Sequence, residues 1–384
     1  MKVFIVSHNY PSAEQPYIHT FVKDHFDVVK KMDGITPELL IPTPRLIPFT
    51  RRHKLQNSTL LDSESGQRIH YISIPKMLRP KRVQKNITKK LLNFLPPSDK
   101  CIVHLHWIYP SGLAIPELNK FGYKTVLTIH RGDWYQTISQ PKLLPIIKRV
   151  LSSADTLLVS GPRLKDDILK IFPDLNIEVS YNYINTKQFL IPAKEVRLRS
   201  KKALGWDESK INFFTVANIR FEKGIDCLLD TIRDLNRNDL HFHILGQPGK
   251  RNYGKLITSK TESMKGDPIT FYNPISRNEL VNYYNAADAY ILPSRSEGFN
   301  VSLLEALATG LPVIATKTGG AELLIENCGG FLAEPGSVRS LVKCLNEYPT
   351  RRSQERSNRS VKYVQEHFSF KQYQTFLQGI YKPS

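Results

Sequence analysis

The sequence predicts an α/β protein built from two doubly wound parallel sheets in tandem, and three observations carry that reading. At 384 residues the chain is about twice the usual domain length. Short apolar and β-branched runs alternate with helical patterns along the chain, as in parallel sheets covered on both faces. No stretch reaches the ~18 apolar residues of a membrane-spanning helix, and 41% hydrophobic with 23% charged residues is the composition of a folded soluble protein.

Taken in order, the expected strands include 2–7, 102–106, 125–129 and 156–160, then 213–217, 241–246, 289–293 and 312–316. Apolar spacing predicts helices between them at 17–31, 82–95, 162–171, 225–236, 277–286 and 301–309. Phe189-Leu190-Ile191-Pro192-Ala193 leads into a charged stretch, 194–202, which sets domains at 1–192 and 193–362. The aromatic-rich helix within 363–384 is longer than a second sheet needs to close itself, and it is expected to return to the first domain. Doubly wound sheets bind ligands at the carboxyl ends of their strands, so the cleft between the two sheets is the expected site.

The run Met1 to His8 holds four consecutive apolar residues, too few for the core of a signal peptide, so a cytoplasmic protein is expected. Cys101, Cys227, Cys328 and Cys344 lack CxxC or Cys/His ligand spacing, which argues against a zinc site or a disulfide framework. The net charge is +19, and residues 51–150, with 18 Lys and Arg against 5 Asp and Glu, carry thirteen of those charges. So local an excess favours a specific anionic partner. Nucleic acid is disfavoured, because no zinc-finger spacing, RNP-like aromatic run or helix-turn-helix accompanies the charge. Within 81–95, Val83, Ile87, Leu91 and Leu95 form one helical stripe, with Lys81, Arg82, Lys85, Lys89 and Lys90 set off it. That cationic face suits an anionic membrane leaflet. The plainer alternative is that the stripe packs inward and the cations are solvated.

After the strand at 289–293 comes Glu297-Gly298-Phe299-Asn300-Val301-Ser302-Leu303-Leu304-Glu305. Its spacing puts Glu297 on a loop and Glu305 within a helix whose N-terminus would favour an anion such as phosphate, and Gly298 lets the backbone approach a ligand. On spacing alone, both glutamates could equally be ordinary surface residues.

The wording from Pro293 to Gly320 is similar to the signature of retaining GT-B glycosyltransferases of family 4, also called glycosyl transferases group 1. The resemblance implies a GT-B fold, two Rossmann-like domains with the donor in the C-terminal one. It also implies a nucleoside-diphosphate sugar as donor, a UDP-sugar first and a GDP-sugar as the alternative. By the same likeness Glu297 meets the donor sugar's hydroxyls, Glu305 the ribose, and the backbone of Gly298, Phe299, Asn300 and Val301 the sugar and diphosphate. Thr215 to Gly224 agrees, presenting Arg220 and Lys223 between a strand and a helix, where a phosphate would arrive. Many relatives carry that Arg two positions earlier, at the place of Asn218, so Arg220 reads as a variant placement. No metal-ligand cluster stands out, so protein groups alone are expected to neutralise the diphosphate, with no further cofactor. The strand ending at Gly246 resembles the one beside the nucleotide. Phe271 to Ser276, with Asn273 and Ile275, resembles the stretch whose backbone meets the base.

In the first half, Thr128-Ile129-His130-Arg131-Gly132-Asp133 resembles the family's His-Gly-x-Asp stretch in altered form. This implies that His130 faces the anomeric region with its side chain or its backbone carbonyl and that Asp133 shapes the acceptor side. The plainer alternative for His130 is a satisfied, partly buried histidine, which is the favoured expectation for His104 and His106. Tyr10 to Pro16 replaces the paired glycines of many relatives, which assigns Glu14 and Gln15 to the acceptor. The expected acceptor is a glycan or lipid-linked glycan of cell-surface polysaccharide synthesis, reached from the inner membrane face. Rival readings are an epimerase or phosphorylase on the same fold, or a non-catalytic binding subunit. A dehydrogenase is disfavoured, since no Gly-x-Gly-x-x-Gly follows the first strand.

Overall fold

The computed structural model describes residues 1–13, 19–45, 66–72, 80–235, 237–249, 251–264, 266, 268–348 and 354–382. The chain divides into two compact units, Met1–Tyr181 with Tyr373–Ser384, and Asn182–Gln372. Glu14 and Gln15 lie outside the described residues.

The first unit holds β1 (Lys2–Val6), β2 (Thr36–Arg45), β3 (Gly66–Ile72), β4 (Cys101–His106), β5 (Lys124–Ile129), β6 (Thr156–Val159) and β7 (Ile177–Val179). They form a parallel sheet in the order β3-β2-β1-β4-β5-β6-β7, so the winding direction reverses between β1 and β4. Its central strands are buried on both faces, and all six residues of β4 are buried, the two histidines His104 and His106 among them. The predicted amphipathic helix spans Pro80–Leu92. Val83, Ile87 and Leu91 turn into the core, and Lys81, Arg82, Lys85, Lys89 and Lys90 are exposed.

The second unit holds β8 (Ile211–Val216), β9 (Leu240–Leu245), β10 (Ile269–Tyr272), β11 (Ala289–Leu292), β12 (Val313–Thr316) and β13 (Phe331–Ala333). The order is β10-β9-β8-β11-β12-β13, again parallel, with the reversal between β8 and β11. Helices over Ile225–Asp234, Arg277–Ala286 and Val301–Ala308 agree with the sequence reading to within two residues at each end. The helix Arg277–Ala286 starts at a capping box, in which the Ser276 hydroxyl accepts from Glu279 N–H and the Glu279 carboxylate accepts from Ser276 N–H.

Candidate functional site

The loops after β8 and β11 leave the second sheet side by side, because these strands are neighbours at the point where the winding reverses. Several contacts fasten one loop to the other. Arg295 N–H donates to the Glu222 carbonyl at 2.8 Å, and the Arg295 guanidinium makes a two-pronged ion pair with Asp226 at 2.6 and 2.8 Å. The same guanidinium lies 4.2 Å from the centre of the Phe221 ring. Gly224 adopts φ +63°, and a Cβ there would come 2.0 Å from the Pro293 carbonyl oxygen, so only glycine permits this approach.

The result is a direct contact between two sequence-predicted residues. Lys223 Nζ donates to both Glu297 oxygens, at 2.7 and 3.0 Å, and the Ser294 hydroxyl donates to Glu297 Oε1 at 2.6 Å. The Glu297 side chain is 9% exposed and that of Lys223 26% exposed, so the pair is sheltered but open to a ligand. Arg220 precedes this turn, exposed to solvent. The Glu297-Gly298-Phe299 backbone rests on a second glycine support. Gly319, at φ +54°, would bring a Cβ within 2.4 Å of the Glu297 Cβ and 2.6 Å of the Gly298 carbonyl oxygen. Phe299 O accepts from Asn182 Nδ2 at 3.1 Å, and the Phe299 ring packs on Phe368.

Asn300 caps the helix Val301–Ala308, its side-chain oxygen accepting from Leu303 N–H at 3.1 Å. Five residues on, Glu305 is 4% exposed, and its carboxylate accepts from the Tyr284 hydroxyl at 3.0 Å and lies 3.5 Å from the Arg277 guanidinium. Burial, with Glu305 alongside, raises the Tyr284 hydroxyl well above the usual tyrosine range, so it stays a donor. Gly246 follows β9, and Asn273 and Ile275 lie between β10 and the capping box, Asn273 exposed. Sequence reasoning missed Ser294, Arg295, Tyr284, Arg277 and Gly319. The pair Gly319-Gly320, shortly after the strand that ends at Thr316, was the one available signal.

In the first unit, His130 follows β5 as the N-cap of the helix Arg131–Ile138. It is walled by Phe21 at 4.6 Å and Trp107 at 4.3 Å between ring centres, and it is hydrogen-bonded to His106 at 3.1 Å. Trp107 holds φ +79°, a left-handed conformation rare in a bulky residue and of the kind that clusters at functional sites. Asp133 is 7% exposed and spends its carboxylate on the loop after β4, accepting from the Ile108 and Tyr109 N–H groups. Burial pushes its carboxyl up to about 7 against those hydrogen bonds. It therefore shapes this end of the sheet from within. Burial holds His130 and His25 down to about 3, and His104 and His106 well below the usual histidine value. Among the described residues, His25, His104 and His106 form one group whose ligand atoms lie within 4.8 Å of one another. Both nitrogens of His104 already have partners, Tyr381 and Thr128.

Residues 196–367 match the family Glycosyl transferases group 1, and residues 34–188 match Glycosyltransferase Family 4. Over 363 residues the chain is 25% identical to TuaC of Bacillus subtilis, a glycosyltransferase assigned to teichuronic acid biosynthesis, covering 91% of this chain and 89% of TuaC. Sucrose-phosphate synthase from Thermosynechococcus elongatus aligns with a TM-score of 0.76 at 17% identity, over 99% of this chain and 98% of that one. HepE of Anabaena, solved in complex with UDP and glucose, aligns with a TM-score of 0.72 at 15% identity over 99% of both chains. At such identities the likeness to solved structures is one of fold.

Proposed function

Because the chain is a GT-B glycosyltransferase, with a Glycosyltransferase Family 4 domain followed by a Glycosyl transferases group 1 domain, we propose that it transfers a hexose or N-acetylhexosamine with retention. The donor is a nucleoside-diphosphate sugar, a UDP-sugar before a GDP-sugar, and the acceptor a glycan or lipid-linked glycan of surface polysaccharide. The Lys223–Glu297 contact at the reversal of the second sheet carries this reading. When the donor's anomeric C–O bond breaks, the electron pair goes to a phosphate oxygen. Lys223 and Arg220, with the N-terminus of the helix Val301–Ala308, are the groups of this unit suited to stabilise that charge without a metal. Glu297, held by Ser294, accepts from hydroxyls of the sugar, and Glu305, fixed by Tyr284 and Arg277, accepts from a ribose hydroxyl. To His130 we assign a substrate contact.

The relatives that support this reading are TuaC for the acceptor class and HepE, with its UDP and glucose, for the donor. The exposed cations of the helix Pro80–Leu92 support a seat on the inner membrane face. The deciding experiment is product analysis with UDP-sugars, with and without lipid-linked acceptor, in chelator. Acceptor-dependent release of UDP in chelator is expected. Conversion of donor alone would favour an epimerase, and activity lost in chelator and restored by magnesium would overturn the metal-free mechanism.

A further inference from the structure

His25, His104, His106 and His130 pack ring to ring in the first unit, and the first three are no more than 2% exposed. A neutral imidazole carries one N–H and one bare nitrogen, so each hydrogen bond in such a cluster constrains the next. His106 Nδ1 lies 3.1 Å from His130 Nε2, while His106 Nε2 has no partner among the described residues. If His130 donated from Nε2, His106 would carry its proton on Nε2, leaving a buried N–H with no acceptor. If His106 donates from Nδ1, the remainder is a bare lone pair. Buried donors without acceptors are the rarer case. The same accounting orients the rest of the cluster. His25 Nδ1 is the other orphan, so His25 Nε2–H donates to the Tyr381 oxygen at 2.8 Å. The Tyr381 hydroxyl then donates to His104 Nδ1 at 2.6 Å, and His104 Nε2–H donates to Thr128 Oγ1 at 2.7 Å. This arrangement makes every bond and leaves neither His25 nor His106 with a buried N–H that lacks an acceptor.

We propose that His106 is a positioning residue that holds His130 as its Nδ1–H tautomer, so that the ring meets substrate as a hydrogen-bond donor and not as a base. With Nε2 engaged by His106, Nδ1–H is the group left to substrate, and its natural partner is an oxygen acceptor, a sugar hydroxyl or a phosphate oxygen. Burial first, and then His19, His25 and His8, keep the ring neutral at physiological pH, so the donor is always present. The inference rests on the assignment of His130 as a substrate contact, but its test does not need activity.

In protein labelled with nitrogen-15 histidine, the wild-type His130 should show a protonated Nδ1 and a bare Nε2. His106→Asn, whose amide can set an N–H near the position of Nδ1, should keep that pattern. His106→Leu should shift His130 toward Nε2–H and lower kcat roughly tenfold, the rate equivalent of one hydrogen bond. A wild-type His130 protonated on Nε2 overturns the proposal, and so do identical His130 spectra in the two variants. If His106→Leu fails to fold, the wild-type spectrum still decides. His130→Ala with unchanged kcat/KM would instead remove the substrate contact while leaving the tautomer assignment intact.

Discussion

Lys223 and Glu297 satisfy each other at 2.7 Å, so removing one is not equivalent to removing the other. Lys223→Ala leaves a carboxylate that is 9% exposed and, among the described residues, is held by the Ser294 hydroxyl alone, which should cost about 1–3 kcal/mol in urea unfolding. Glu297→Gln leaves a solvated lysine and no buried charge, so its stability should stay within about 1 kcal/mol of the wild type. Both should lower turnover about a hundredfold or more. A turnover like that of the wild type in both variants would return these residues to ordinary structural roles. Gly319→Ala tests the support beneath Glu297. Its Cβ must displace backbone, so KM for the donor should rise at least tenfold, whereas an unchanged KM and melting temperature would show that the loop does not depend on it. The Glu297 and Lys223 motifs were legible because their residue types and order are distinctive. Ser294, Tyr284 and Arg277 were not, since a lone polar residue acquires meaning only from what stands opposite it.

Elements that pack on both faces announced themselves, and the edges did not. Among the described strands, β3, β7, β10 and β13 border their sheets, and none of the four is among the strands named from the sequence. Strand β2 escaped for a different reason, its three prolines at 37, 42 and 44, which normally argue against an inner strand. Thr36 N–H donates to the Met1 carbonyl and Ser7 N–H to the Leu40 carbonyl, so even-numbered residues of β2 face β1. Pro42 and Pro44 thus point to the β1 side beyond the end of β1, and Pro37 points to the β3 side before the β3 pairing begins at Leu39. Each missing N–H falls where no ladder bond is due. The helix Pro80–Leu92 gives the prediction at this scale. Replacing Lys81, Lys85, Lys89 and Lys90 by Gln should weaken binding to anionic vesicles by roughly 1 kcal/mol per charge at low salt while leaving the melting temperature nearly unchanged, because these side chains are exposed. Equal cosedimentation of variant and wild type would remove the membrane seat.

For the molecule as a whole, the buried imidazoles set the response to acid. His25, His130 and His243 are held down to about 3, 3 and 2, and His104 and His106 are also depressed, whereas the unfolded chain binds these protons near 6.5. Unfolding therefore takes up protons below about pH 6.5, and stability is lost as pH falls from there, by at most about 1.4 kcal/mol per unit per histidine. Asp133, raised to about 7, acts the other way, favouring the folded state as pH falls from 7 toward the ordinary carboxylate range. With these five histidines, and His241 lowered by burial as well, against one carboxyl, the melting temperature should be clearly lower at pH 5 than at pH 7. An equal or higher value at pH 5 would mean that these rings titrate normally. The two parallel sheets were legible from strand and helix alternation alone. The histidine cluster was not, because helix, strands and closing segment bring in His25, His104, His106 and Tyr381 from distant parts of the chain.

Tyr381, 1% exposed, is the hydroxyl on which His25 and His104 both depend. The second unit is continuous in sequence, from Asn182 to Gln372, whereas the first waits for residues beyond Gln372. During synthesis the order of completion is therefore inverted. The half of the protein made first lacks the Tyr381 partner of His25 and His104 until the half made second has been synthesised.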